Sequence, residues 1–406
     1  MAAIALSALA APACADPIDT GASLRLRWES ADAAFFGSAG PPVDAVLLTR
    51  ALAHVDAAQK SGLRGFVQIG WHDQFGRAVA LPTDENQIDV HQAWLEAPIG
   101  DASLRIGRQE LALGSARLVG VRESPNIRRA FDGAVLEWRN QTWRVRALAL
   151  TTVDIDPDAF DVSGGAALSG IYATRTARTE GRSSVDLYVL RLRRDSVRFA
   201  AAVGEEDRWT IGLRVFGRIG AIDYNFEPMI QSGDTAGKTI RAWTIASDTG
   251  WTFAGAPLQP RLSLKANLTS GDQDARDSRL ETFDPLFPNL AYFSEAATLA
   301  PQNHIDLQPE LALSVSPTLT VRASANWFWR AETSDAVYRA GGAALPGTAG
   351  SSGRLTAHQA ELELQWRASE TLEVRASLLN WRPADMLRLR GAEEGLFAVA
   401  SIGLQF

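Results

Sequence analysis

Residues 318–330, TLTVRASANWFWR, decide the fold. Every second residue from Leu319 to Trp329 is leucine, valine, alanine or tryptophan, while Thr320, Arg322, Ser324 and Asn326 lie between them. A period of two is the mark of a strand with one apolar and one polar face. Leu24–Trp28, Trp143–Ala147 and Ile211–Val215 repeat the pattern, with arginine or glycine on the second face. Along the chain the same reading predicts eighteen strands: 21–29, 46–57, 61–72, 88–97, 101–108, 131–139, 142–152, 168–174, 184–193, 208–219, 221–232, 238–252, 258–271, 302–315, 318–330, 355–367, 370–381 and 395–406. They average about 11 residues, whereas soluble strands run to ~5–6 and a tilted strand crossing a bilayer needs ~9–11.

The gaps between these strands alternate in length. The odd-numbered gaps are mostly long, among them 30–45, 109–130, 194–207, 272–301 and 331–354, whereas 140–141, Gly220, 316–317 and 368–369 are tight. Short turns at one rim and long loops at the other predict an all-β, 18-stranded antiparallel transmembrane β-barrel, with short periplasmic turns and long extracellular loops. An even strand count puts both ends on the short-turn side.

Composition narrows the alternatives. At 46% hydrophobic and 21% charged, the 406 residues are not those of a disordered chain. A net charge of −7 speaks against a nucleic-acid partner. No window of 18 uninterrupted apolar residues exists, so no spanning helix is expected. Residues 1–15 read as a probable signal peptide ending Ala13-Cys14-Ala15, and the lack of a basic opening points to a start a few codons upstream. Residues 16–406 are then a single barrel domain, with Cys14, the one cysteine, in the leader.

If the apolar faces meet outer-membrane lipid, the other faces line water. The predicted pore lining is Arg25, Arg27, Arg64, Arg105, Arg144, Arg146, Arg191, Arg193, Arg214, Arg218 and Arg322. An acidic wall of Asp223, Glu227, Asp306, Glu310, Glu361, Glu363 and Glu373, interspersed with Lys265, Arg330 and Arg375, faces it. Guanidinium forks hold carboxylates while staying charged, so such a lining suits anionic solutes. Pairing with neighbouring acids that merely stiffens the wall is the competing reading. Trp28, Trp71, Trp138, Trp143, Trp251, Trp327, Trp329, Trp366 and Trp381 fall near strand ends, where a membrane interface would hold them. The alternating final strand ends on Phe406, which resembles the signal recognised by the barrel-assembly machinery.

Residues 105–133, RIGRQELALGSARLVGVRESPNIRRAFDG, together with the later SGDQDARDSRLETFDPLFPNLAYF and WFWRAETSDAVY, resemble the alginate export family of outer-membrane proteins. The resemblance implies an eighteen-stranded barrel in the bacterial outer membrane that carries carbohydrate or anionic solutes, alginate-type polyuronate among them. It also implies an inward-folding third outer loop, onto which Arg108, Gln109, Arg117, Asn126, Arg129 and Asp132 map. A purely structural part for that segment weighs equally, since Arg108 and Arg129 have Glu110 and Asp132 at hand.

An outer-membrane enzyme and a loop-mediated adhesin or receptor are the alternatives. Five histidines, none in a G-x-S-x-G turn or H-E-x-x-H helix, give no catalytic arrangement. Asp272, Asp274 and Asp277 fall short of a calcium loop's ligand pattern. No cofactor or metal is expected, and the reading is a passive channel.

Overall fold

The computed structural model describes residues 18–33, 35–36, 44–77, 80–178, 181 and 183–406. The expected leader, with Cys14, lies outside the described residues.

The strands are β1 (Ile18–Ala31), β2 (Asp44–Ala58), β3 (Arg64–Phe75), β4 (Asn86–Ile99), β5 (Ala102–Glu110), β6 (Ala130–Arg139), β7 (Trp143–Asp154), β8 (Val162–Arg175), β9 (Ser184–Arg198), β10 (Val203–Ile219), β11 (Ile222–Thr235), β12 (Lys238–Thr252), β13 (Arg261–Thr269), β14 (Arg279–Leu280), β15 (His304–Ser316), β16 (Leu319–Trp329), β17 (Leu355–Arg367), β18 (Leu372–Pro383) and β19 (Gly395–Gln405). All belong to one sheet. β14 has two residues and pairs in parallel with β12 beside the wall. The other eighteen are antiparallel neighbours, and β1 closes the ring by pairing with both β2 and β19. At the seam Phe406 N–H donates to the Ala22 carbonyl at 2.8 Å, and Ala22 N–H to that of Phe406 at 3.1 Å. Closure leaves no open edge, which hydrocarbon would not satisfy.

Gly220, at φ 58°, turns β10 into β11 in two residues, a backbone state that side chains with a Cβ resist. The opposite rim carries the long connections 111–129, 270–303 and 330–354. Two of its expected loops are shorter than the alternation predicts. β9 and β10 run on until only 199–202 joins them, and β8 begins at Val162. Strand ends such as Arg193–Arg198 keep the backbone ladder without a regular apolar face, which a strand needs only where it meets hydrocarbon.

The outer face is apolar and uncovered: Ile230 is 60% exposed, Ile106 55% and Leu362 53%. Trp28, Trp209, Trp243 and Trp327 lie on it toward the long-loop rim, and Trp138, Trp251 and Trp366 next to the short-turn rim. Trp381 departs from its expected place. It points inward, fully buried against Phe35, Phe36 and Phe328.

Candidate functional site: a lumen narrowed by two loops

Strand alternation sets which side chains enter the bore. Arg25, Arg27, Arg64, Arg105, Arg144, Arg146, Arg214, Arg218 and Arg322 alternate with outward apolar residues and face inward. Most are paired with acids. Arg27 joins Glu29 at 2.6 Å and Glu295 at 2.8 Å, Arg105 joins Glu96 at 2.6 Å, and Arg214 joins Asp186 at 2.9 Å. Arg322 meets Glu363 at 3.0 Å, Arg144 meets Glu137 at 3.6 Å, and Arg64 meets Asp56. Arg218 stands 3.9 Å from Asp223. Arg146 instead donates to the Ala112 carbonyl at 3.3 Å. The lining is thus a lattice of ion pairs, whose field is weaker than that of a bare cationic ladder.

Arg191 and Arg193 are not in the lumen, contrary to the sequence expectation. They continue the outward row of Leu187 and Val189, and Arg191 pairs with Asp207 and lies 5.1 Å over the Trp209 ring. Leu190 and Leu192 occupy the inner face there, fully buried. The alternation is unbroken, but beyond Trp209 the outside is headgroup and tolerates charge, while the inside is packed.

What packs it is the 111–129 loop, which crosses the bore. On the far wall the buried Arg117 lies 3.2 Å from Glu227 of β11, donates to Asn267 of β13 at 2.6 Å, and stacks 4.3 Å over Tyr292. There the loop meets the inward-folded 270–303 loop: Val119 bridges Phe287, and Phe287 N–H donates to the Leu118 carbonyl at 2.7 Å. Arg129 stacks on Phe287 and donates to the carbonyls of Gly120 and Pro288. Leu113, Leu118, Val119, Phe283 and Phe287 bury against the inner-face Phe131, Leu148, Leu150, Leu190 and Leu192. Each such side chain contributes ~1.5–3 kcal/mol, so this half of the bore is firmly filled. The expectation that the inner faces line water is corrected for this part of the wall.

The loop then returns to β1–β3. Asn126, fully buried, donates to the carbonyls of Thr49, Asp73 and Asp84 at 3.0, 3.1 and 2.7 Å. Glu123 receives Arg50, and Arg128 at 3.4 Å, with Arg25 at 4.0 Å. Burial alone would raise the Glu123 carboxyl, but Arg50, Arg128 and Arg25 outweigh it and hold it at about 2. Burial lowers the neighbouring Arg122 guanidinium to about 10 and pushes the Tyr292 phenol up to about 12.

The remaining motif residues serve the wall. Gly107 and Gly133 face each other across β5 and β6 at φ 130° and 141°. A Cβ on either would lie 2.2 Å from a neighbouring carbonyl oxygen. Gln109 caps the pair, donating to their carbonyls at 3.2 and 3.4 Å. Arg108 and Asp132 are bonded at 2.9 Å on the outer face near the long-loop rim, with Ser163 donating to Asp132 at 2.6 Å. They lie outside the lumen, whereas Arg117, Asn126 and Arg129 are in the inward loop. Arg330, placed on the acidic wall by sequence, is buried and holds the 330–354 loop through the carbonyls of Gly353 and Thr348.

Beside β13 and β15–β18 the inner wall is polar and charged. A cavity of about 130 Å³ lies there, lined by Lys265, Tyr292, Glu295, Arg322, Glu361 and Glu363 among others. Tyr292 and Glu295 were not predicted. Tyr292 lies in the aromatic and proline run FDPLFPNLAYF at 283–293, and Glu295 falls two residues beyond it. Among the described residues no group of three or more His, Cys, Asp or Glu could hold a metal ion.

A closed eighteen-stranded wall, an apolar outer belt and a loop-narrowed interior define a porin-type barrel of the bacterial outer membrane. The chain belongs to the alginate export family, whose sequence model matches residues 16–400. Among solved structures, a BenF-like porin from Pseudomonas fluorescens Pf-5 is similar with a TM-score of 0.68 at 11% identity, covering 96% of this chain and 99% of that one. Acinetobacter baumannii OccAB3 gives 0.66 at 9% identity, covering 96% and 99%. Pseudomonas aeruginosa OccK2 (OpdF), solved in complex with glucuronate, gives 0.65 at 11% identity, covering 96% and 98%. At such identities the likeness is one of fold. No curated protein matches the sequence.

Proposed function

We propose that the chain is a passive, selective channel for small anionic or carbohydrate-like solutes, and not an enzyme or adhesin. One observation carries the reading: two loops meet inside a closed barrel, yet leave a polar, charged cavity in one sector of the bore. The glucuronate bound to OccK2 makes uronates a reasonable cargo class for a barrel of this fold. The inward arginines Arg144, Arg146 and Arg214, which stand on the short-turn side of the packed region and not in the cavity, supply the anion preference in this proposal. Liposome swelling with sugars, uronates and amino acids tests it, together with bilayer recordings. Pores whose anion preference falls on Arg→Ala change at those three positions are expected. An impermeable protein, or a selectivity indifferent to all three changes, would refute it.

A further inference from the structure

The charges around the cavity are nearly all matched. Glu295 pairs with Arg27 at 2.8 Å, Arg322 with Glu363 at 3.0 Å, Arg375 with Glu373 at 2.8 Å, and Glu310 stands 3.8 Å from Arg261. Two lining groups have no ionic partner within 4 Å among the described residues. One is Lys265 on β13, only 6% exposed, whose ammonium has the Tyr292 ring at 5.6 Å and no hydrogen-bond acceptor. The other is Glu361 on β17, whose carboxylate accepts from the Ser377 hydroxyl at 2.5 Å and Glu295 N–H at 3.4 Å but meets no cation.

The ammonium of Lys265 and the carboxyl of Glu361 line the same cavity and form no ion pair with each other within 4 Å. β15 and β16 separate their strands, so their backbones stand three strand spacings of about 4.8 Å apart along the wall. Leaving a charge in a narrow, partly dehydrated space without a counter-charge is unfavourable. Two such groups across one cavity are complementary to a solute bearing both signs. A simple anion would satisfy Lys265 and leave Glu361 opposing it.

We infer that this cavity is a subsite for zwitterionic organic solutes, with Lys265 holding a carboxylate and Glu361 an ammonium group. The inference rests on the channel reading and departs from its anionic cargo class at this one cavity. A hydroxylated acid is the rival occupant, since a hydroxyl can also donate to Glu361.

Titration calorimetry on the full chain in detergent tests it, with 4-aminobutyrate, butyrate, butylammonium and glucuronate as probes. The zwitterion is expected to bind about tenfold more tightly than either monoion, a difference of ~1.4 kcal/mol. Lys265→Met should reduce it to the level of butylammonium, and Glu361→Gln to that of butyrate, with unchanged thermal midpoints. Equal binding of 4-aminobutyrate and butyrate, tighter binding of glucuronate, or indifference to Glu361→Gln would each overturn the inference. Potassium chloride conductance of the same preparation judges the channel separately. A conducting protein without zwitterion preference removes the subsite alone, and a non-conducting protein with that preference keeps the subsite and removes the channel.

Discussion

Glu123→Gln should loosen the crossing loop without disturbing the barrel. The carboxylate faces Arg50, Arg128 and Arg25 on the return leg of 111–129, and amide substitution removes its charge while preserving its shape. A pKa held at about 2 against the ordinary 4.5 would equal about 3 kcal/mol for an enclosed group. The side chain is 40% exposed to the lumen, so solvent screening reduces this to about 1–2 kcal/mol. The closed-to-open ratio of the loop should therefore fall about 5- to 30-fold. Because the folded pKa is depressed, the contribution is complete above pH 4.5 and is lost as pH falls toward 2. Single-channel recordings should show more frequent open-loop events in Glu123→Gln at pH 7. Wild type should approach the variant's behaviour across that acid window, while the variant changes less. Identical gating at pH 7, or an equal acid response in both proteins, would refute the reasoning.

Three further outcomes follow from the same geometry. Arg117→Ala leaves Glu227 buried with the hydroxyls of Ser115 and Tyr188 and without its cation, so it should cost about 3–5 kcal/mol in loop docking and speed tryptic cleavage after Arg122. Ile230→Arg on the lipid face should destabilise insertion into vesicles by about 2–4 kcal/mol, whereas Ser324→Arg on the inner face should be far milder. Arg193→Ala, on the outer face, should leave the reversal potential in a salt gradient unchanged.

Much of the wall was legible because lipid outside and water inside impose a period of two. β12 runs over 238–252 as predicted, and β17 over 355–367. Where the hydrocarbon ends, the signal ends too, which is why β9 and β10 exceed their predicted spans. The misplacement of Arg191 and Arg193 has the same origin: a strand with leucine on one face and arginine on the other reads equally well inside out. Only the inward loops, with their own apolar load of Leu118, Val119 and Phe287, decide the matter, and long-range loop docking leaves no periodic trace. The family motif fell apart for a related reason. Gly107, Gln109 and Gly133 answer to close strand packing, while Arg117, Asn126 and Arg129 answer to the loop, and adjacency in sequence conceals the division.

The most direct test of the central claim uses two adjacent residues of β16. In a Cys14→Ser background, Ala323→Cys and Ser324→Cys place a thiol on opposite faces of the same strand. A small water-soluble thiol reagent should modify Ser324→Cys in a planar bilayer and reduce its conductance. It should leave Ala323→Cys untouched, with a label there quenched by acyl-chain probes instead. Aqueous labelling of Ala323→Cys with protection of Ser324→Cys would contradict the account.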